Sequence, residues 1–224
     1  MDVLSTPKVL AAIAEGLGDW RRLGLPLAAR YRSADAAARA AFAAAVMATG
    51  AAAGHEVAEV RAGRGFVDVA LFSVDEATGA VGVTAADLGL ARAVTGLARE
   101  HGMAAAPGEV TQLELALDTA DEAAVAPFWS ALLTGDPGNV VRGSVLDPTG
   151  RVPSVWFQST TAGDTPRQRW HIDLWLAPEV AEERIAAALA AGGTVVDASE
   201  APSFTVLADP EGNKACVCTA LTRE

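Results

Sequence analysis

Apolar and polar positions trade places every second residue in Leu113-Glu114-Leu115-Ala116-Leu117, and again in Trp170-His171-Ile172-Asp173-Leu174. That period belongs to a strand with one face turned to a core. Each stretch is followed by helical patterning, Asp121 to Leu133 in the first case and Glu179 to Ala191 in the second. A second pair of copies lies beyond: Ser144-Val145-Leu146-Asp147-Pro148-Thr149-Gly150 returns as Thr205-Val206-Leu207-Ala208-Asp209-Pro210-Glu211-Gly212. Each reads as a short apolar strand ending in an Asp-Pro-x-Gly turn. Pro presets φ at the second turn position and Gly closes the turn. The C-terminal half is therefore predicted to be a duplicated strand–helix–strand–strand–strand module. Duplication places equivalent strand positions of both modules around one cavity, so it also says where a site belongs.

The first half patterns differently. A helix is predicted from Thr6 to Glu15, with Ser5 or Thr6 as cap and Pro7 in the first turn. A hairpin-like stretch follows from Trp20 to Ser33, turning around Gly24 to Pro26. Asp35 to Gly54 reads as a long helix that Gly54 stops. His55 to Arg61 and Gly65 to Ser73 alternate as two strands around an Ala62-Gly63-Arg64-Gly65 turn. Thr84-Ala85-Ala86-Asp87 is a capping start for a helix running to about Glu100. This half is α+β with an antiparallel sheet. Met103 to Gly108 combines small residues with Pro-Gly and marks the boundary, dividing the chain into domains at 1–104 and 110–224.

Composition narrows the partners. The chain of 224 residues is 51% hydrophobic, but much of that is Ala, and aromatics are only 5%, so the core leans on scattered Leu, Val and Trp. A net charge of −11 argues against a nucleic-acid backbone or an anionic membrane. Cys216 and Cys218 sit two apart on one strand face and cannot pair with each other there. The N-terminus lacks a charged-then-apolar signal pattern, and the longest apolar run, Ala40 to Gly54, is too short to span a bilayer. A soluble cytoplasmic protein is expected. There is no Gly-rich phosphate loop, nucleophile elbow or Cys-x-x-Cys.

Several residues of the first half recur together in a known family. They are Gly18-Asp19-Trp20, Leu27 with Arg30-Tyr31-Arg32, Phe42 and Val46, His55, Phe66-Val67-Asp68-Val69-Ala70-Leu71, and Val83-Thr84-Ala85-Ala86-Asp87-Leu88 with Leu90-Ala91. On these, residues 4 to 101 resemble the pterin-4a-carbinolamine (4a-hydroxytetrahydrobiopterin) dehydratases. The resemblance implies loss of water from a 4a-hydroxy-tetrahydropterin, with imidazoles moving the protons. Family members carry a His-His-Pro segment and a further His after the next strand pair. Here the segment reads His55-Glu56-Val57, and the later position falls near Val74 or Asp75. The implied domain is a degenerate dehydratase with His55 as its catalytic candidate. Glu56 or Asp75 would have to stand in for the missing imidazoles, without a native pKa near neutrality. Read without the family, His55 simply starts a strand after the Gly54 helix stop.

The second half carries Phe128-Trp129, Phe157-Gln158, Arg169-Trp170-His171-Ile172-Asp173-Leu174 and Val206-Leu207-Ala208-Asp209-Pro210-Glu211-Gly212-Asn213. Through them residues 111 to 221 resemble the vicinal-oxygen-chelate superfamily, which includes glyoxalase I and the bleomycin-resistance proteins, most closely its glyoxalase-like branch. The resemblance implies paired βαβββ modules in a half-open barrel. It also implies a divalent metal held by one residue from the first and one from the last strand of each module. Matching the repeats pairs Glu114 with His171, puts Cys216 where the last strand usually offers Glu, and leaves Gln158 as its counterpart. A Glu/His/Gln/Cys set is unusual even for Zn²⁺. Glu114 and His171 are the metal candidates; Trp156, Gln158, Trp170, His171 and Cys216 are the ligand-binding ones. Asp173, two residues from His171 on the same face, is a catalytic candidate or a partner that orients the ring. Cys216 also reads as a small buried apolar residue.

No cofactor follows from these residues, and a divalent metal stays open without being favoured. The departures at Gln158 and Cys216 favour small-molecule binding over metal catalysis. The alternatives are a metal-dependent lyase, isomerase or dioxygenase-type enzyme using the C-terminal cavity, or residual dehydratase activity. A homodimer is expected, since sheets of both kinds tend to pair their edges.

Overall fold

The computed structural model describes residues 1–75, 77–78, 80–134, 136–150, 152–160, 170–190, 193–208 and 214–223. The chain splits into two compact units, Met1–Val110 with the last residues from Thr222, and Thr111–Leu221. Among the described residues, no helix is long and apolar enough to cross a membrane.

The N-terminal unit runs α1 (Thr6–Ala14), β1 (Trp20–Arg22), β2 (Leu27–Arg32), α2 (Ala36–Ala52), β3 (Glu59–Gly63) and β4 (Phe66–Leu71). A small hairpin of β5 (Ser73–Asp75) and β6 (Ala80–Gly82) follows, then α3 (Ala85–Glu100) and β7 (Ala104–Ala105). The main sheet has the order β1-β2-β4-β3 and is antiparallel throughout. Alternation decides its faces. Val67, Val69 and Leu71 of β4 are buried with Leu27, Ala29 and Tyr31 of β2, and they pack with Phe42 and Val46 of α2 and Leu88, Ala91 and Val94 of α3. Phe42 stands edge-on to Tyr31 with ring centroids 5.2 Å apart. The buried polar tips are satisfied: Trp20 Nε1 donates to Thr95 Oγ1 at 3.0 Å. Burial pushes the Tyr31 hydroxyl far above its ordinary range, so it stays protonated in the core. On the opposite face Arg30 grips Asp68 through two bonds of 2.6 and 2.7 Å and lies 4.4 Å over the Phe66 ring.

One sequence expectation changes here, and two features are added to it. His55 does not start a strand: β3 begins at Glu59, and His55 N–H closes the α2 terminus by donating to Gly50 O at 3.0 Å, next to Gly54 at φ +62°. Met103 to Gly108 lies just before the division of the chain at Val110 and Thr111, and it is structured. Met103 is buried, Ala104–Ala105 pairs with Tyr31 and Arg32 of β2, and Ala106 N–H donates to Arg30 O at 2.8 Å. The β5–β6 hairpin was not expected at all, since three-residue strands give no periodic signal.

The C-terminal unit is two successive βαβββ modules among the described residues. The first is β8 (Thr111–Thr119), α4 (Glu122–Thr134), β9 (Val140–Val141), β10 (Ser144–Val145) and β11 (Ser154–Ser159). The second is β12 (Trp170–Leu176), α5 (Pro178–Ala190), β13 (Thr194–Asp197), β14 (Phe204–Ala208) and β15 (Lys214–Cys218). All their strands join one eight-stranded sheet, β13-β14-β15-β12-β8-β11-β10-β9. The modules meet at their first strands, β8 antiparallel to β12, and each last strand lies parallel to its own first strand.

The first Asp-Pro turn forms as the sequence predicts. Gly150 N–H donates to Asp147 O at 3.0 Å, Asp147 Oδ1 accepts from Thr149 N–H at 2.8 Å, and Gly150 takes φ +64°. The second copy, Asp209 to Asn213, lies outside the described residues, as do Arg169 and the side chain of Phe128.

One face of this sheet is apolar. Leu117, Val155 and Phe157 bury against Ala126 and Val125 of α4, while Leu176, Leu207 and Val217 bury against Ala181 and Ile185 of α5. The other face carries the chemistry.

Candidate functional site

The registers lay out the polar face as a grid. Glu114 of β8 faces Ser154 of β11 on one side and Asp173 of β12 on the other, and Asp173 in turn faces Cys216 of β15. One rung along, Trp156, Ala116 and His171 stand in line; beyond them Gln158 lies beside Asp118. Trp175 and Cys218 are neighbours on the other side. Residues two apart on a strand share a face, so these side chains project together.

They are tied to one another. His171 Nε2 and Gln158 Oε1 are 2.8 Å apart, and because an amide oxygen only accepts, the ring nitrogen donates. On the other side of the ring, His171 Nδ1 faces Asp173 Oδ1 at 3.5 Å. Trp156 Nε1 donates to Asp173 Oδ2 at 2.7 Å, and the same indole stands edge-on to the imidazole with centroids 5.5 Å apart. Glu114 is held by Trp175 Nε1 at 2.6 Å and Ser154 Oγ at 2.9 Å, with Gln112 Nε2 at 3.4 Å. Asp118 Oδ1 lies 3.9 Å from His171 Nε2. Asp118 carries no sequence signal of its own, although it shares strand parity with Glu114.

The structure therefore joins His171, Asp173, Gln158, Trp156 and Cys216, keeps Glu114 beside Asp173 on the same face, and sets Trp170 apart. Trp170 belongs to the other face, edge-on to Trp129 at 4.9 Å within the α4 core, because its parity is that of Ile172 and Leu174. Glu114 lies across the strand pair from Asp173, not from His171, which faces Ala116.

Register also revises the repeat. Overlaying the first strands makes Glu114 equivalent to His171 and Ala116 to Asp173. Ala116 lies beside Trp156 as Asp173 lies beside Cys216, so the counterpart of Cys216 is Trp156, not Gln158. Counting from the turn misleads, because Trp156 lies nine residues past Asp147 and Cys216 seven past Asp209.

That geometry tests the metal set implied by the resemblance. Glu114, Gln158, His171 and Cys216 do not fit a shared cation. Both Glu114 oxygens are engaged by Trp175 and Ser154, and the Gln158 amide oxygen is turned onto the imidazole. The first module supplies an indole where a last-strand donor would stand.

In the N-terminal unit His55 acquires a partner that the sequence did not reveal. Its Nε2 donates to Asp87 Oδ1 at 2.8 Å, and Asp87 is fully buried. Asp87 Oδ2 accepts from Thr84 N–H and Thr84 Oγ1, both at 2.7 Å, and from Ser73 Oγ at 2.9 Å. Asp87 N–H in turn donates to Thr84 Oγ1 at 3.4 Å, completing the capping box predicted for α3. The two stand-ins lie elsewhere: Glu56 is exposed, and Asp75 accepts from Ala77 and Thr78 N–H in the β5–β6 turn.

Residues 114–218 match the family model of a glyoxalase-like domain, from the first strand of one module to the last strand of the other. No curated protein matches the chain.

Proposed function

We propose that the C-terminal unit is a small-molecule-binding module of the glyoxalase and bleomycin-resistance-like superfamily, its paired modules forming a half-open barrel with the ligand on the polar sheet face. The N-terminal unit, in this reading, is a pterin-dehydratase-like domain that has lost its dehydratase chemistry. One observation carries the first part. The positions that would supply metal donors from the first module are a wall, Glu114 pinned by Trp175 and Ser154 and Trp156 spanning His171 and Asp173. Carboxylates of Glu114, Asp118 and Asp173 beside two indoles suit a ligand that donates hydrogen bonds and offers a flat surface.

Tryptophan fluorescence tests this. Titration with a panel of planar amines and amides is expected to yield a saturable quench, and Trp156→Phe, which removes the indole N–H, to weaken it about tenfold. Turnover of a dicarbonyl or diol substrate that depends on Glu114 would sink the binding reading in favour of a lyase or isomerase.

For the N-terminal unit, the His55–Asp87 pair favours a second reading, since a buried carboxylate behind an imidazole is an arrangement that moves protons. The absence of further imidazoles in His55-Glu56-Val57 and at Val74 and Asp75 weighs against it. The chain is expected not to accelerate dehydration of a 4a-hydroxy-tetrahydropterin. Acceleration that disappears in His55→Ala would establish the residual enzyme.

A further inference from the structure

The sheet of the N-terminal unit turns one face to α2 and α3, and strand parity puts a different set of residues on the other. Arg30 and Arg32 of β2, Phe66 and Asp68 of β4, and Arg61 of β3 stand there. Register pairs Arg30 and Arg61 with Asp68 from its two sides, and Arg32 with Phe66. The β3–β4 turn adds Arg64, which is exposed. These arginines gather at one end of a sheet in a chain of net charge −11, so the cluster runs against the charge of the whole molecule.

Acidic partners hold the cluster without using it up. Asp68 accepts from Arg30 Nε and Nη2 at 2.6 and 2.7 Å and from Arg61 Nη2 at 3.2 Å, so one carboxylate fixes two guanidiniums. Glu109 accepts from Arg32 Nε at 2.7 Å. The Phe66 ring fixes the pair a second time. Arg30 lies 4.4 Å and Arg61 5.5 Å from its centroid, both within cation–π reach. That ring can lie over β3 only because Gly63 carries no Cβ, which would come within 2.3 Å of it.

Donors are left over. The Arg61 side chain is 61% exposed and spends only Nη2 on Asp68, which leaves its Nε and Nη1 groups open. Among the described residues Arg64 makes no hydrogen bond or ion pair. Forked N–H donors match the oxygens of a phosphate in pairs, and arginines ordered in advance lose less freedom on binding. Asp68 and Glu109 within the cluster, and Glu59 two residues before Arg61, repel a broad acidic surface. A compact anion at Arg61 and Arg64 avoids them.

We propose that Arg61 and Arg64, backed by Arg30, Phe66 and Asp68, form a binding site for a small phosphate-bearing anion on the helix-free face of the N-terminal sheet. The site belongs to the N-terminal unit alone and stands independently of the ligand proposed for the C-terminal one.

The test is calorimetric titration of the full chain with inorganic pyrophosphate. Saturation at about one pyrophosphate per chain is expected, with affinity falling as salt is raised. Arg61→Gln and Arg64→Gln should each weaken binding about tenfold, and the double variant should abolish it. Arg61→Lys, which keeps the charge without the fork, should fall between wild type and Arg61→Gln. Arg92→Gln, at an exposed arginine of α3, should change nothing. Melting curves of the same samples separate a lost site from a lost fold. No saturable binding, or binding unchanged in folded Arg61→Gln and Arg64→Gln chains, would overturn the site. A glutamate-rich peptide that binds these arginines more tightly than pyrophosphate would overturn the small-anion assignment and make the patch a docking surface for an acidic protein segment.

Discussion

Asp87→Ala is expected to destabilise the N-terminal unit by about 3–4 kcal/mol, the sum of a lost helix cap and of charge-assisted bonds to a buried carboxylate. Asp87 is fully buried and serves three elements at once. It caps α3 through Thr84, fixes β5 through Ser73, and holds His55 where the chain leaves α2. Truncation removes the shared acceptor and leaves the donors of Thr84, Ser73 and His55 to find water in a closed space. Asp87→Asn keeps the shape but offers one acceptor oxygen in place of two, and about half the loss is expected. Hydrogen exchange reads the effect locally: amides of α3 and of the β5–β6 hairpin should lose protection together, while those of β8 and β12 keep theirs. Loss confined to the first turn of α3 would mean that Asp87 is a cap and nothing more. His55→Ala should cost less than Asp87→Ala, because it removes one donor and leaves the carboxylate its others.

The capping half of that cluster was legible because its members are three residues apart. Thr84-Ala85-Ala86-Asp87 carries its own geometry. The imidazole half was not, since His55 and Asp87 lie far apart in sequence and no local rule joins them. The same divide runs through the C-terminal unit. Strand parity sorts His171, Asp173 and Trp175 from Trp170, Ile172 and Leu174, and consistent use of it would have kept Trp170 off the ligand list. Register is a different matter. Whether Trp156 or Gln158 answers Cys216 depends on how many residues the chain spends between the Asp-Pro turn and the last strand, which differs between the modules. The repeat shows that two modules exist, but the hydrogen-bond ladder decides which residues meet. Short elements escaped for want of length: β7 holds two residues, next to the point where the chain divides.

Glu114→Ala is expected to cost the C-terminal unit about 2–4 kcal/mol, because it strands a buried indole N–H and removes two charge-assisted bonds. Trp175 is only 8% exposed, and its Nε1 points at Glu114 Oε2 from 2.6 Å. Ser154 Oγ, 2.9 Å from the other oxygen, loses its partner as well. The carboxylate thus ties β8 to β11 and β12 across the seam between the modules. Glu114→Gln places an amide between two donors; one can keep its acceptor while the other meets an N–H₂ group, so an intermediate loss of about 1–2 kcal/mol is expected. Urea denaturation of both variants checks the ordering. Stability is expected to rise in the order Glu114→Ala, Glu114→Gln, wild type, and equal midpoints for all three would mean that the carboxylate holds nothing together. The hydrogen bonds of Glu114 make it a structural tie at the seam, holding β8 to Ser154 of β11 and to Trp175 of β12.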